Sequence, residues 1–144
     1  MFTAKDYMTK NVVSVKKDAP IYEALMLLRK NDITGMPVID NDMIVIGIIT
    51  EKDALKMFWA EGDDQNKTVD FYMTRPVVSF GVDESLESIC DVLMVKNFRR
   101  VPVVSTEGKL VGIISRPDII DYIILQKQIN VAEFSDTKLT SPAK

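Results

Sequence analysis

The 144-residue chain contains no histidine and a single cysteine, Cys90. Those two absences remove Ser-His-Asp and Cys-His nucleophile systems, an internal disulfide, and zinc sites built from His and Cys. Long apolar runs are missing as well. The longest, Met43 to Ile49, covers seven residues, against the ~20 a helix needs to cross hydrocarbon. The opening Met1-Phe2-Thr3-Ala4-Lys5-Asp6 has neither the apolar stretch nor the cleavage pattern of a signal peptide. Basic charge is not in surplus: 18 Lys+Arg against 21 Asp+Glu leave a formal net charge of −3, whereas phosphate-coating proteins carry a basic excess. Cys90 sits in an apolar helical pattern and reads as a small buried hydrophobe of a reducing compartment. The expectation is a cytoplasmic protein that binds rather than catalyses, with carboxylate chemistry left formally open.

What is present is repetition. Shifting the sequence by 65 positions lays Thr3–Leu55 over Thr68–Ile120 without a gap, and 15 of the 53 aligned positions are identical. Tyr7-Met8-Thr9 returns as Tyr72-Met73-Thr74, and Val12-Val13-Ser14 as Val77-Val78-Ser79. Pro37-Val38 returns as Pro102-Val103, Gly47-Ile48-Ile49 as Gly112-Ile113-Ile114, and Asp53 as Asp118. Internal repetition of this kind means one structural unit built twice.

Each copy reads alike. The β-branched runs Val12–Val15 and Val77–Phe80 predict strands. After Asp18 and Asp83, apolar residues recur at helical spacing: Ile21, Ala24, Leu25, Leu28 in one copy and Leu86, Ile89, Cys90, Leu93 in the other. Met36–Ile39 with Ile44–Ile49, and Val101–Val104 with Leu110–Ile114, flank the turn-like Asp40-Asn41-Asp42 and Thr106-Glu107-Gly108, so each pair predicts a hairpin. A last helix begins near Thr50 or Ser115. The order is β-α-β-β-α, an α/β (α+β) class. A unit of this size buries too little apolar surface alone, so the two copies are expected to pack sheet to sheet about a pseudo-twofold axis. The division is a first repeat at residues 3–60, a surface linker at 61–67, a second repeat at 68–127 and an aperiodic, loose tail at 128–144.

A strand bearing Met-Thr-x-x-Val-Val-Ser, then Pro-Val, then Gly-Ile-Ile-[Ser/Thr]-x-x-Asp, all duplicated, resembles the cystathionine β-synthase (CBS) domain. Its tandem pair is called a Bateman module, and the resemblance spans residues 3–125. It implies an adenosine-nucleotide-sensing module, often dimeric, and does not imply catalysis.

The repeated Thr50-Glu51-Lys52-Asp53 and Ser115-Arg116-Pro117-Asp118 carry two readings. Thr or Ser followed three residues later by an acid is a helix capping box, worth roughly 0.5–2 kcal/mol. The same helix start also offers N–H groups and a positive dipole to a phosphate. An ionised carboxylate one turn on only accepts hydrogen bonds, which suits two vicinal ribose hydroxyls. Aspartate, shorter than the glutamate a capping box prefers, favours the ligand reading. The resemblance implies two ligand sites, each drawing on both repeats. One combines Thr9, Val13 and Ile33 with Arg99, Arg100, Ser115 and Asp118. The other combines Thr74, Val78 and Phe98 with Thr34, Gly35, Thr50 and Asp53. Val13, Val78 and Ile33 would serve equally as core residues.

Arg99-Arg100 stand where the first repeat has Thr34-Gly35. Their guanidinium forks suit phosphate, while Pro117 removes one N–H from that helix start. The Asp118 site is therefore expected to bind charged nucleotides more tightly than the Asp53 site. Met57-Phe58-Trp59 cannot all face one core stripe, and exposed apolar residues mark interfaces; in the CBS family these helices often pair between subunits, so the resemblance implies a homodimer. The leading expectation is a stand-alone regulatory protein with AMP, ADP or ATP as regulatory ligand and no cofactor or metal. A regulated protein is a possible partner, a membrane is not, and nucleic acid has little support. A ligand-free interaction scaffold, or a sensor of S-adenosylmethionine or a dinucleotide, stays open beside it.

Overall fold

The structure is a computed structural model that describes residues 1–126; the expected loose tail lies outside the described residues. Along the chain run α1 (Ala4–Tyr7), β1 (Val15–Lys16), α2 (Ile21–Lys30), β2 (Gly35–Ile39), β3 (Val45–Thr50) and α3 (Glu51–Ala54). Two 3-10 helices, Leu55–Trp59 and Gly62–Asn66, follow. Then come α4 (Val69–Tyr72), β4 (Phe80–Gly81), α5 (Leu86–Val95), β5 (Arg100–Val104), β6 (Leu110–Ser115) and α6 (Arg116–Gln126). The expected α/β class holds, with two three-stranded sheets ordered β1-β2-β3 and β4-β5-β6. No helix among the described residues is long and apolar enough to cross a membrane.

The chain forms two compact units. One joins Val12–Val78 to Thr106–Leu110; the other joins Met1–Asn11, Ser79–Ser105 and the described residues from Val111 on. They are called here the Asp53 unit and the Asp118 unit.

In the Asp53 unit β1 runs parallel to β2 from Val15↔Val38, and β2 runs antiparallel to β3 through pairs such as Gly35↔Thr50 and Pro37↔Ile48. The turn between β2 and β3 is built by Asp40, whose Oδ1 accepts the amides of Asp42 (2.8 Å) and Ile44 (3.0 Å). The predicted stripe of α2 delivers Ile21, Ala24 and Leu28 into a core with Val15, Met36, Val38, Ile49, Val69, Tyr72 and Met73. Side chains of this size contribute about 1.5–3 kcal/mol each on full burial. The Asp118 unit repeats the plan, with Leu86, Ile89 and Leu93 of α5 packed on Val101, Val103, Ile114, Ala4, Tyr7 and Met8. β4 runs parallel to β5 from Phe80↔Val103.

Four expectations need correction. The first strand of each repeat is two residues long and starts later than its β-branched run, because the ladder begins only at Val15 and at Phe80. The helices α1 and α4, four residues each, fall outside the β-α-β-β-α reading; so short a segment carries no period. The helix after Thr50 ends at Ala54 and tightens to a 3-10 turn, since Met57, Phe58 and Trp59 cannot share one buried α-helical face. Met57 packs on the core while Phe58 and Trp59 stay 81% and 78% exposed. Cys90 is half-buried at the edge of its core, with its Sγ 3.9 Å from Met94 Sδ.

Candidate functional site

Two of the repeated motifs meet within each unit, and the partners come from opposite sequence repeats. Ile48 of β3 and Thr74 exchange backbone hydrogen bonds of 3.0 and 2.7 Å, and Thr9 and Ile113 of β6 exchange bonds of 2.9 and 3.0 Å. A glycine makes each crossing possible. A Cβ on Gly47 would sit 2.6 Å from Met73 Sδ and 3.0 Å from the Thr74 carbonyl oxygen; one on Gly112 would sit 2.4 Å from Met8 Sδ and 2.8 Å from its Cγ. The Met-Thr segments thus lie directly over the Gly-Ile-Ile strands that lead into the Thr/Ser-x-x-Asp turns.

At the first turn the geometry is a complete capping box. Asp53 Oδ2 accepts the Thr50 amide (3.0 Å) and the Thr50 hydroxyl (3.0 Å), while the Asp53 amide donates to Thr50 Oγ1 (3.2 Å). Its other oxygen, Oδ1, accepts the Thr74 hydroxyl at 2.8 Å and Lys56 Nζ at 3.5 Å. At the second turn Asp118 Oδ2 accepts the Ser115 amide (2.9 Å) and hydroxyl (3.0 Å). Asp53 and Asp118 are 4% and 2% exposed, so these carboxylates are the charged groups each unit encloses at its helix start. Both aspartates fold back onto their own helix starts, as the capping reading requires. Capping and ligand binding are not exclusive, however. A carboxylate offers about four acceptor sites, and in Asp53 capping occupies Oδ2 while Oδ1 faces the exposed Thr74.

Of the residues expected at the first site, Thr9, Arg99, Arg100, Ser115 and Asp118 belong to the Asp118 unit, whereas Val13 and Ile33 pack against the core of the Asp53 unit. Of those expected at the second, Thr74, Val78, Thr34, Gly35, Thr50 and Asp53 share the Asp53 unit, and Phe98 lies in the Asp118 unit. Within its unit each set is joined by backbone contacts as well: the Glu51 amide donates to the Thr34 carbonyl at 2.9 Å, and the Arg116 amide to the Arg99 carbonyl at 3.2 Å.

Four contributors lie outside the residues expected from sequence. Gly47 and Gly112 were matched as repeats without their steric role. Lys56, at i+3 from Asp53, was legible as an ion-pair spacing; the other repeat carries Asp121 there, itself buried. Arg116 gave no signal, since a lone arginine at a helix start reads as a solvated side chain.

The model of the CBS domain matches residues 4–60 and again 68–125. Protein MJ1225 of Methanocaldococcus jannaschii is 34% identical over 116 residues, which is 81% of this chain and 41% of the relative. The chain thus spans less than half the length of that relative. Among solved structures, CBSX2 of Arabidopsis thaliana in complex with AMP matches with a TM-score of 0.81 and 30% identity, covering 88% of this chain and 99% of the other. The CBS domain pair of protein MJ0100, in complex with 5′-methylthioadenosine and S-adenosyl-L-methionine, matches with a TM-score of 0.75 and 28% identity over 88% and 98% of the two chains.

Proposed function

The chain belongs to the CBS-domain family, and from that premise we propose that it is a regulatory CBS pair whose ligand is an adenosine nucleotide, AMP, ADP or ATP. The observation that carries this is the hydroxyl–carboxylate contact at the head of α3, Thr74 on Asp53 at 2.8 Å with Thr50 beside them. A ribose diol replaces the Thr74 hydroxyl on Oδ1 with like chemistry, and a 5′-phosphate lies at the helix start with the hydroxyl of Thr50 or Ser115. Two related structures holding AMP or S-adenosylmethionine support an adenosyl ligand. Thr9, Thr34, Gly35, Arg99 and Arg100 supply the remaining contacts, and Val13, Val78, Ile33 and Phe98 the apolar walls of the base.

The two sites differ. Lys56 is already paired with Asp53 and must release before that carboxylate holds two hydroxyls. The Asp118 half has Asp121 at that position, an added negative charge, but Arg99 and Arg100 outweigh it toward phosphate. The Asp118 site therefore takes charged nucleotides more tightly. Signalling follows as a population shift no larger than the ligand's preference between two conformations, read by a partner protein. The exposed Leu55, Phe58 and Trp59 favour a homodimer as the assembled form.

Thermal shift with AMP, ADP, ATP and S-adenosylmethionine tests the reading. Stabilisation by a nucleotide that Asp118→Asn removes supports it. No stabilisation by any of the four favours the scaffold, for which the capping geometry of both aspartates is the supporting observation.

A further inference from the structure

Arg116 is the first residue of α6, and its side chain turns back rather than out. Nε donates to the Phe98 carbonyl at 2.8 Å; Nη2 donates to Asn97 Oδ1 at 2.9 Å and to the Leu93 carbonyl at 3.4 Å. Leu93 lies in the last turn of α5, and Asn97 takes the left-handed backbone conformation, φ 56°, that ends that helix. One guanidinium therefore caps the carbonyl end of α5 and clasps both ends of the Asn97-Phe98 turn. Cations are favoured at a helix C-terminus, and this one gains directed bonds besides charge.

The turn it clasps leads straight into Arg99 and Arg100. Arg99 is exposed, and its side chain has no partner among the described residues. Arg116 also fixes the backbone there, through its amide on the Arg99 carbonyl at 3.2 Å. The repeat supplies the comparison. Asp32 holds the same left-handed position, φ 51°, and the Glu51 amide makes the same backbone bond to Thr34. Glu51 has no side-chain bond to that turn among the described residues. There the carbonyl end of α2 is held instead by Asn31, whose Nδ2 donates to the Leu27 carbonyl at 2.9 Å.

We infer that Arg116 is a positioning residue: it spends its charge on the α5–β5 turn so that Arg99 is presented, pre-ordered, to an anionic ligand group. This rests on the nucleotide reading given above. Ordering a loop before binding removes an entropic cost that binding would otherwise meet. The clasp thereby makes the Asp118 half the phosphate-selective one by rigidity as well as by charge.

Two measurements test it with the full chain. The first uses no ligand: amide hydrogen exchange across residues 97–100. Arg116→Ala is expected to speed exchange there by at least about tenfold while the α2 and β2 amides keep their rates, and Arg116→Lys to restore it only in part, because lysine lacks the fork. Unchanged exchange at 97–100 overturns the inference. The second is a double-mutant cycle for AMP and adenosine affinity with Arg116→Ala and Arg99→Ala. Each single change is expected to weaken AMP about tenfold and adenosine much less, and the double change to weaken AMP little further, since one residue acts through the other. Additive losses overturn the positioning role. If the wild-type protein binds neither compound, the nucleotide reading falls, and the presentation of Arg99 to a ligand falls with it; the exchange result still decides whether Arg116 orders the turn.

Discussion

Thr74 Oγ1 donates a 2.8 Å hydrogen bond to Asp53 Oδ1 across 21 positions of sequence. The two residues belong to different sequence repeats and to one compact unit. Each Met-Thr segment pairs with the strand that precedes the other repeat's aspartate, so the motifs recur together because each is half of a contact. Thr74→Val keeps the shape and removes the donor. A hydrogen bond to a charged group contributes about 1.5–3 kcal/mol, less at this partly exposed site. The expected result is a stability loss of roughly 1 kcal/mol by urea denaturation; unchanged stability contradicts the role given to Thr74.

Gly112→Ala places a methyl group 2.8 Å from Met8 Cγ and 3.1 Å from its Cβ, and rotation of the Met8 side chain cannot move the Cβ away. Overpacking of this kind costs about 1–3 kcal/mol. The loss is expected to shrink when Met8→Ala is added, so that the double variant is less damaged than the sum of the two. Strict additivity contradicts a direct clash.

Helix starts and helix stripes were the most legible features. The stripes of α2 and α5 follow spacing alone, and Thr50 and Ser115 stand where their motifs predict. The first strands were misjudged because Val12 to Ser14 and Val77 to Ser79 have the composition of strands, while a ladder also needs a partner, which begins at Val38 and Val103. The candidate site residues follow from the resemblance; the contacts that position them do not. Nothing in one-dimensional spacing reveals that Gly47 makes room for Met73, or that Arg116 folds back on α5.

Removing either capping carboxylate lowers stability. Asp53→Ala and Asp118→Ala are each expected to cost about 0.5–2 kcal/mol, read as a lower denaturation midpoint. Asp53→Ala also leaves Lys56 and the Thr74 hydroxyl without their acceptor. Equal stability of either variant and the wild type contradicts the capping geometry.

Alkali weakens the fold through Tyr72. Burial, and next the charge of Asp64, raise its phenol above the ordinary value of 10.0. The native state therefore holds this proton more tightly than the unfolded chain does. Its contribution is complete below pH 10 and declines as pH rises through the raised value. Lys5, raised by its hydrogen bond to Asp83, acts in the same direction but is exposed and screened. Tyr72→Phe loses the 2.9 Å bond to the Asp64 carbonyl, costing roughly 0.5–1.5 kcal/mol at neutral pH, and is expected to flatten the alkaline limb of a stability–pH curve. A limb as steep as that of the wild type assigns it elsewhere.

Calorimetric titration of AMP into the wild type, Asp53→Asn and Asp118→Asn is the most direct measurement. Asparagine keeps the size of the side chain and removes the charge that receives the sugar hydroxyls. The expected outcome is saturable binding to the wild type, lost at the tighter site in Asp118→Asn and kept there in Asp53→Asn. Absence of heat and of any stabilisation with folded wild-type protein, or equal losses in the two variants, contradicts the account.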